Sequence, residues 1–525
     1  MIEFDPVLVH EWLSRSARRF PEKTALICND RKITYRELDH LSDQCGGVLM
    51  EKGVSRGDRV IIFMDNSPEV VIALYGILKA GGVFVILEGS MKTPKLGYII
   101  QNAGTRMVIA HAGKRKIVQD AVQSTGSACK VLWVCDRNQR DEHEETWDKI
   151  ITWGEKRILH PFPRGIDIDL ATVIYTSGST GEPKGVMSTH HNMISAARSI
   201  IQYIGNSEDD IILTVLPLSF DYGLYQVIMS VMFGGTVVIE RSFMYSEQLL
   251  KRLTEEKITG FPVVPTILAM LLRLESLPER DFSSLRYITN TGAALPVEHI
   301  RKLRKLFPHI SLFSMFGLTE CKRVSFLPPD KVDERPESVG IAMPNCETVI
   351  VDENGKSVPA GTSGQLVVRG ANVMQGYWKD SETTRRIFQD GRYPAERLLF
   401  TGDYFHKDDD GFLYFEGRKD DLIKSRGERV SIREVERALM EMTGVAETAV
   451  VALPDEILGQ AIAAFVVSVP GIKLDRGKVL QYCTSQLEAN KIPKYVWFPD
   501  RIPRLENGKV DLKQLRILAE EFRGL

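Results

Sequence analysis

Between about residue 55 and residue 350, short apolar β-branched runs alternate with stretches whose apolar residues recur every three to four positions. That alternation predicts parallel sheets covered by helices. RVIIFM (59–64) reads as a buried strand, and Pro68 can open a helix because its fixed φ suits the first turn, where no N–H is needed. Val71, Leu74, Tyr75 and Leu78 then fall on one helical face, and Gly81-Gly82 stops the helix before the strand VFVI. MVIA (107–110), VLWV (131–134), IILTVL (211–216), TVVIE (236–240) and RYITNT (286–291) are further strand candidates. The run from Tyr222 to Ile239 contains Gln226 and Gly234-Gly235, which predicts a buried helix turning into a strand and no membrane segment.

From Glu347 onward the pattern becomes strand and turn, with Glu353-Asn354-Gly355 as a hairpin turn. A second change falls near Gly417 to Asp421. Beyond it, Ser431-Ile432-Arg433-Glu434 forms a capping box for a helix to about Met442. Strand candidates ETAVVAL and AIAAFVVSV and a helix near residues 475–489 follow. The expected fold is α/β. A large N-terminal domain, residues 1–417, would carry helix-covered, mostly parallel sheets and a β-rich subdomain, and residues 418–525 a small mobile α+β domain.

The 525 residues exceed one ordinary core. A charged fraction of 26%, a hydrophobic fraction of 43% and a net charge of −2 describe an ordinary globular protein and argue against nucleic acid as partner. Seven cysteines, an odd number with no C-x-x-C pair, do not form a disulfide framework. Acids and a Pro within the first six residues do not fit a signal peptide, so a cytoplasmic location is expected. The charged stretch 136–163 reads as a solvated excursion.

The candidate chemistry centres on YTSGSTGEPKGV (175–186). Thr176, Ser177, Ser179 and Thr180 offer hydroxyls to phosphate oxygens, Lys184 adds charge, and Gly178, Gly181 and Gly185 can adopt positive φ for close backbone approach. It is not a P-loop, because Pro183 stands where the second Gly of that motif belongs and Gly185 where its Ser/Thr belongs. SMFGLTE (314–320) places a ring, a Gly turn, a hydroxyl and a carboxylate together, and a carboxylate beside a triphosphate is best used to hold Mg²⁺.

Together these segments resemble the adenylate-forming superfamily of acyl-CoA synthetases, peptide-synthetase adenylation domains and luciferases. Four more match in the same order: Asn290-Thr291-Gly292-Ala293-Ala294, Thr401-Gly402-Asp403, Gly417-Arg418-Lys419-Asp420-Asp421, and PRLENGKVDL (503–512). The resemblance implies that Asn290, Gly292, Ala293 and Ala294 line the adenine with Phe316 and Gly317 near it. It places Thr319 on the adenylate phosphate, Glu320 on Mg²⁺, and Asp403 and Arg418 at the ribose. Lys509 would bridge the substrate carboxylate and the α-phosphate, Asp420 would be a hinge, and Lys424 and Gly427 would line a pantetheine tunnel. Many relatives have Tyr where Phe316 stands.

The implied activity is ATP-dependent formation of an acyl-adenylate with loss of pyrophosphate, then transfer to a thiol, with CoA as the expected cosubstrate. Alternatives are loading of an amino or other acid onto a carrier protein in trans, and luciferase-like oxidation of the adenylate. Because the chain ends about 15 residues past Lys509, no carrier domain is expected in cis. Phe220-Asp221 matches the acyl-substrate position, where amino-acid-activating domains use an Asp for the α-ammonium; hydrogen bonding to Tyr222 or a capping role is the alternative. Lys322-Arg323 departs from the small residues usual there, and either pairs at a strand end or meets a second anionic group on the acid.

Overall fold

Strand-forming runs of β-branched residues build two sheets in the first of the chain's two units, Met1–Thr348 with Val367–Phe400; the second is Val349–Leu366 with Thr401–Leu525. The computed structural model describes residues 5–135, 147, 161–177, 182–240, 246–394, 396–418, 422–425, 428–455, 459–487, 491–504 and 510–523. Most of the stretch 136–163, and Gly178, Ser179, Thr180, Gly181, Asp420, Gly427 and Lys509, lie outside the described residues.

In one sheet of the first unit, Leu170–Ser177, Val83–Leu87, Arg59–Phe63, Thr105–His111 and Lys130–Val134 run parallel. Pro183–Thr189 and Gly376–Tyr377 extend it antiparallel. Helix Pro68–Lys79 is buried on every side except at Glu69, not along one face alone. It lies against helix Tyr35–Glu51, where a Cβ on Gly76 would come 2.7 Å from Cys45 Cβ. A helix apolar all round is the sequence sign of that double cover. Its Lys79 ammonium is buried with Asp43 at 2.6 Å.

Among the described residues the other sheet has nine strands, parallel through Ser311–Phe316, Tyr287–Asn290, Gly260–Val263, Ile211–Thr214, Thr236–Ile239 and Thr24–Cys28. Helix Asp221–Phe233 ends at Gly234 and leads into Thr236–Ile239, as the interrupted apolar run predicts. Ligands bind open α/β sheets outside the carboxyl ends of the strands. Here those ends are Asn290 and Phe316.

In the second unit, the turn expected at 353–355 forms, with Gly355 at φ 74° and the Asp352 carboxylate accepting from Asn354 N–H and Lys356 N–H, each at 2.9 Å. Strands Val445–Asp455 and Gly459–Ser468 pair antiparallel and alternate their side chains between two apolar layers. Ala449, Val451, Leu453, Ala463 and Phe465 meet Leu515 and Ala519 of helix Leu512–Arg523. Val450, Ile462, Ala464 and Val466 meet Val435 and Leu439 of Ile432–Met440 and Val479 and Cys483 of Arg476–Gln486.

Candidate active site

The Thr/Ser/Gly segment lies between two strands that pair antiparallel, with Thr176 opposite Lys184 and Ser177 opposite Pro183. The chain therefore continues into a strand, and the next helix begins only at His190. Gly185 corrects an expectation: it is not among the positive-φ residues. A glycine stands there because a Cβ would approach Val173 Cγ1 to 2.6 Å and the Tyr175 ring to 3.1 Å. The Lys184 ammonium donates to Asp380 Oδ2 at 3.0 Å and to Thr383 Oγ1 at 2.7 Å. Asp380 also accepts from Thr383 N–H at 2.9 Å as the cap of helix Ser381–Ile387. These donors, led by the Thr383 side chain, hold its pKa down to about 2.

Tyr377 joins this hairpin to the acidic motif. It pairs with Val186 at the sheet edge, and its hydroxyl donates to Glu320 Oε1 at 2.6 Å. Burial, and after it the Glu320 charge, pushes the phenol's pKa up. The Lys184 ammonium lies 5.7 Å from the same ring centre. Tyr377, Asp380 and Thr383 were not singled out from the sequence, and no local pattern marks them: Tyr377 is 57 positions from Glu320, and Asp380 is 196 from Lys184.

Strand Ser311–Phe316 delivers Phe316, Gly317, Thr319 and Glu320, all half-buried. Gly317 is required by a close approach. A Cβ there would collide with the Lys322 carbonyl oxygen and lie 3.0 Å from Arg323 Cα. Beside it, strand Tyr287–Asn290 ends in a buried Asn290 whose Nδ2 donates to Ala293 O at 3.0 Å. Asn290 Oδ1 is buried without a hydrogen-bond partner among the described residues. Gly292, at φ 86°, Ala293 and Ala294 are exposed. An orphaned buried acceptor next to an open backbone loop fits a ligand that brings its own donor.

At the position expected to face the acyl group, the structure brings Asp221 and Lys322 together. Asp221 opens helix Asp221–Phe233 and is buried, while Phe220 remains 39% exposed. The Lys322 ammonium, itself buried, sits 3.2 Å from Asp221 Oδ2, donates to the Asp221 main-chain carbonyl, and lies 4.0 Å from the Tyr225 ring centre. Burial pushes the Lys322 pKa down to about 7, against the pull of Asp221. Lys322 has φ 64°, which turns the chain after Glu320 and Cys321. The Tyr222 hydroxyl bonds to Thr289, 2.8 Å from its carbonyl oxygen, so Asp221 has a partner other than Tyr222.

Strand Arg397–Lys407, which belongs to the second unit from Thr401 onward, pairs with Leu413–Arg418 and places Asp403 directly opposite Arg418. The Arg418 Nε is 3.3 Å from Asp403 Oδ1; the carboxylate is buried and the guanidinium largely exposed. Gly402 has φ 75° within strand Arg397–Lys407, and Asp403 N–H donates to Thr401 Oγ1 at 3.1 Å. Lys424 lies in strand Leu422–Ser425, opposite Arg429. Among the described residues no three His, Cys, Asp or Glu side chains converge on a metal position, and no helix is long and apolar enough to cross a membrane. All seven cysteines are free thiols.

The fold and this set of motifs define an AMP-forming acid–thiol ligase. Residues 13–378 match the family model for the AMP-binding enzyme, and residues 434–509 match that for the AMP-binding enzyme C-terminal domain. The chain belongs to the AMP-binding enzyme family, the adenylate-forming enzymes. It is 31% identical over 534 residues to a long-chain-fatty-acid–CoA ligase of Bacillus subtilis (strain 168), covering 97% of this chain and 94% of that one. To a linear gramicidin synthase of Brevibacillus parabrevis it is 30% identical over 97% of its own length, spanning 6% of that protein. The crystal structure of ATP-bound MatB from Rhodopseudomonas palustris superimposes with a TM-score of 0.87 at 27% identity, covering 98% of this chain and 99% of that one.

Proposed function

We propose that the protein activates a carboxylic acid lacking an α-ammonium group and transfers its acyl group to CoA. Oxide is too poor a leaving group for a thiol to displace from a carboxylate. In the first step an oxygen of the acid attacks the α-phosphorus of ATP and the bond to pyrophosphate breaks. In the second the CoA thiolate attacks the acyl carbon and AMP departs with the oxygen. Charge developing on the phosphoryl group needs fixed donors and metal.

Thr176 to Lys184 would hold the β- and γ-phosphates and Lys509 the α-phosphate and carboxylate. Asn290 to Ala294 and Phe316 would receive the adenine, Thr319 the adenylate phosphate, and Asp403 with Arg418 the ribose. Mg²⁺ is commonly bound by one or two carboxylates completed by water and substrate phosphates. A single Glu320 carboxylate, oriented by Tyr377, fits that donor set. Residues 1–417 would carry adenylation, with Asp420, Lys424, Gly427 and Lys509 in the smaller domain 418–525 serving the exchange between steps.

The observation that carries the choice of acid is the Asp221–Lys322 pair. A carboxylate already matched by a buried internal ammonium is not available to a substrate ammonium, which favours plain fatty, aryl or dicarboxylic acids over α-amino acids. Similarity along 94% of a CoA ligase supports CoA as acceptor. The test is incubation with ATP, Mg²⁺ and the preferred acid, offering CoA or a phosphopantetheinylated carrier protein. Acyl-CoA detected by mass spectrometry is expected. Acyl-adenylate that accumulates with CoA and clears only with carrier would overturn the acceptor assignment.

A further inference from the structure

Arg323 is 3% exposed, and among the described residues no carboxylate pairs with its guanidinium. Asp221 is taken by Lys322. The surroundings of Arg323 are aromatic. Its guanidinium carbon lies 5.1 Å from the Tyr222 ring centre, and the Tyr203 hydroxyl lies beside it; burial pushes that phenol's pKa up to about 12, against the guanidinium's pull. Tyr203 is fixed in turn by stacking on Phe326 at 4.1 Å. Arg323 Nε is buried without a hydrogen-bond partner among the described residues.

Ring faces compensate a cation only in part, and an unpaired buried charge is costly. A guanidinium has five N–H donors in a planar fork that matches a carboxylate. Its placement also matters. The Arg323 Cα lies where a Cβ on Gly317 would reach it at 3.0 Å, and Val324 N–H donates to Phe316 O at 2.9 Å, so the guanidinium is carried on the turn that follows Glu320. Tyr222, beneath it, is tied to Thr289 in the strand that ends at Asn290. The cation thus stands among the carboxyl ends of the parallel strands that deliver the adenylation motifs.

We infer that Arg323 receives a second carboxylate on the substrate, so that the enzyme activates a dicarboxylic acid, one carboxylate reacting with ATP and the other held by Arg323. This rests on the adenylation reading above.

The test uses ATP–pyrophosphate exchange with α,ω-dicarboxylic and aryl dicarboxylic acids, each paired with its monocarboxylic counterpart of equal size. The wild-type enzyme is expected to favour the diacid by about a hundredfold in kcat/KM, the worth of a charge-assisted hydrogen-bonded pair. Arg323→Met should collapse that ratio through a rise in KM for the diacid, with the KM for ATP separating lost acid binding from general damage. Arg323→Lys, which keeps the charge and loses the fork, should retain part of the ratio. Removing an uncompensated buried charge should also raise the melting temperature of Arg323→Met above wild type. Preference for monoacids in the wild type overturns the inference alone. So does a lowered melting temperature of Arg323→Met together with an undiminished diacid ratio in Arg323→Lys. Exchange with neither series overturns the adenylation reading and the inference with it.

Discussion

Asp221 and Lys322 are 101 positions apart in the chain and meet in a buried pair, so each is the other's compensation. Removing one partner strands the other's charge, and Asp221→Asn or Lys322→Met should each cost about 3–5 kcal/mol. The double variant should cost less than the sum, which a denaturant-unfolding cycle at pH 7 measures directly. Lys322 also gives the pair a pH sign. Its pKa is lowered from 10.5 to about 7 by burial, so the folded state binds fewer protons than the unfolded state between those values. The penalty of burying the ammonium is therefore full below about pH 7 and relieved as pH rises toward 10.5. Asp221→Asn removes the group that holds the Lys322 pKa up, so its deficit against wild type should shrink as pH rises to about 7 and stay constant above that. At the nucleotide side, Tyr377→Phe removes a donor to a charged carboxylate, worth about 1.5–3 kcal/mol where the group stays buried. If Glu320 holds Mg²⁺, the loss should appear as a higher Mg²⁺ requirement in pyrophosphate exchange; an unchanged Mg²⁺ titration would separate Tyr377 from the metal.

The turn from Phe316 to Val324 depends on one small residue. Gly317→Ala would drive a methyl into backbone atoms of Lys322 and Arg323, which cannot swing away as a side-chain end could. The variant should lose stability by about 1–3 kcal/mol and raise the KM for both ATP and acid, since the same turn carries Glu320 and Arg323. Wild-type KM values in a folded Gly317→Ala would disconnect the turn from the site. Elements of this kind were legible where composition punctuates the chain: Pro68, Gly81, Gly234 and the 353–355 turn all stand where the pattern puts them. The strand Pro183–Thr189 was not, because its Pro and Gly argue against a strand, and it forms by pairing along Leu170–Ser177. Motif residues were legible as types in order. The different surroundings of Lys322 and Arg323 were not: they are adjacent in sequence, yet only the first finds a carboxylate among the described residues, and that depends on a helix start 101 residues away.

Stability of the whole molecule against acid should reflect one buried and one half-buried imidazole. His190 Nδ1 accepts from Val9 N–H at 3.0 Å, which requires a neutral ring, and His10 packs edge-on to it at 5.9 Å. Burial pushes His190 down to about 4 and His10 down to about 3, from 6.5. Between pH 6.5 and 4 the unfolded chain binds protons that the folded chain does not, so stability falls as pH falls, by roughly 2.5 kcal/mol per pH unit near pH 5. His190→Gln, which keeps an acceptor, should roughly halve that slope in equilibrium unfolding. The proposed turnover makes a separate demand, since Lys509 is assigned to adenylation and Lys424 with Gly427 to thiolation. Asp420→Pro would fix φ at the proposed hinge and should spare pyrophosphate exchange while stopping thioester formation.

The choice of acid is tested most directly by ATP–pyrophosphate exchange with α-amino acids, each beside its des-amino counterpart. With Asp221 matched by Lys322, the des-amino acids should support exchange and the amino acids should not, and Lys322→Met should narrow the difference by freeing the carboxylate. Faster exchange with an α-amino acid in the wild-type enzyme would show that Asp221 serves a substrate ammonium, and would contradict the assignment of the pair.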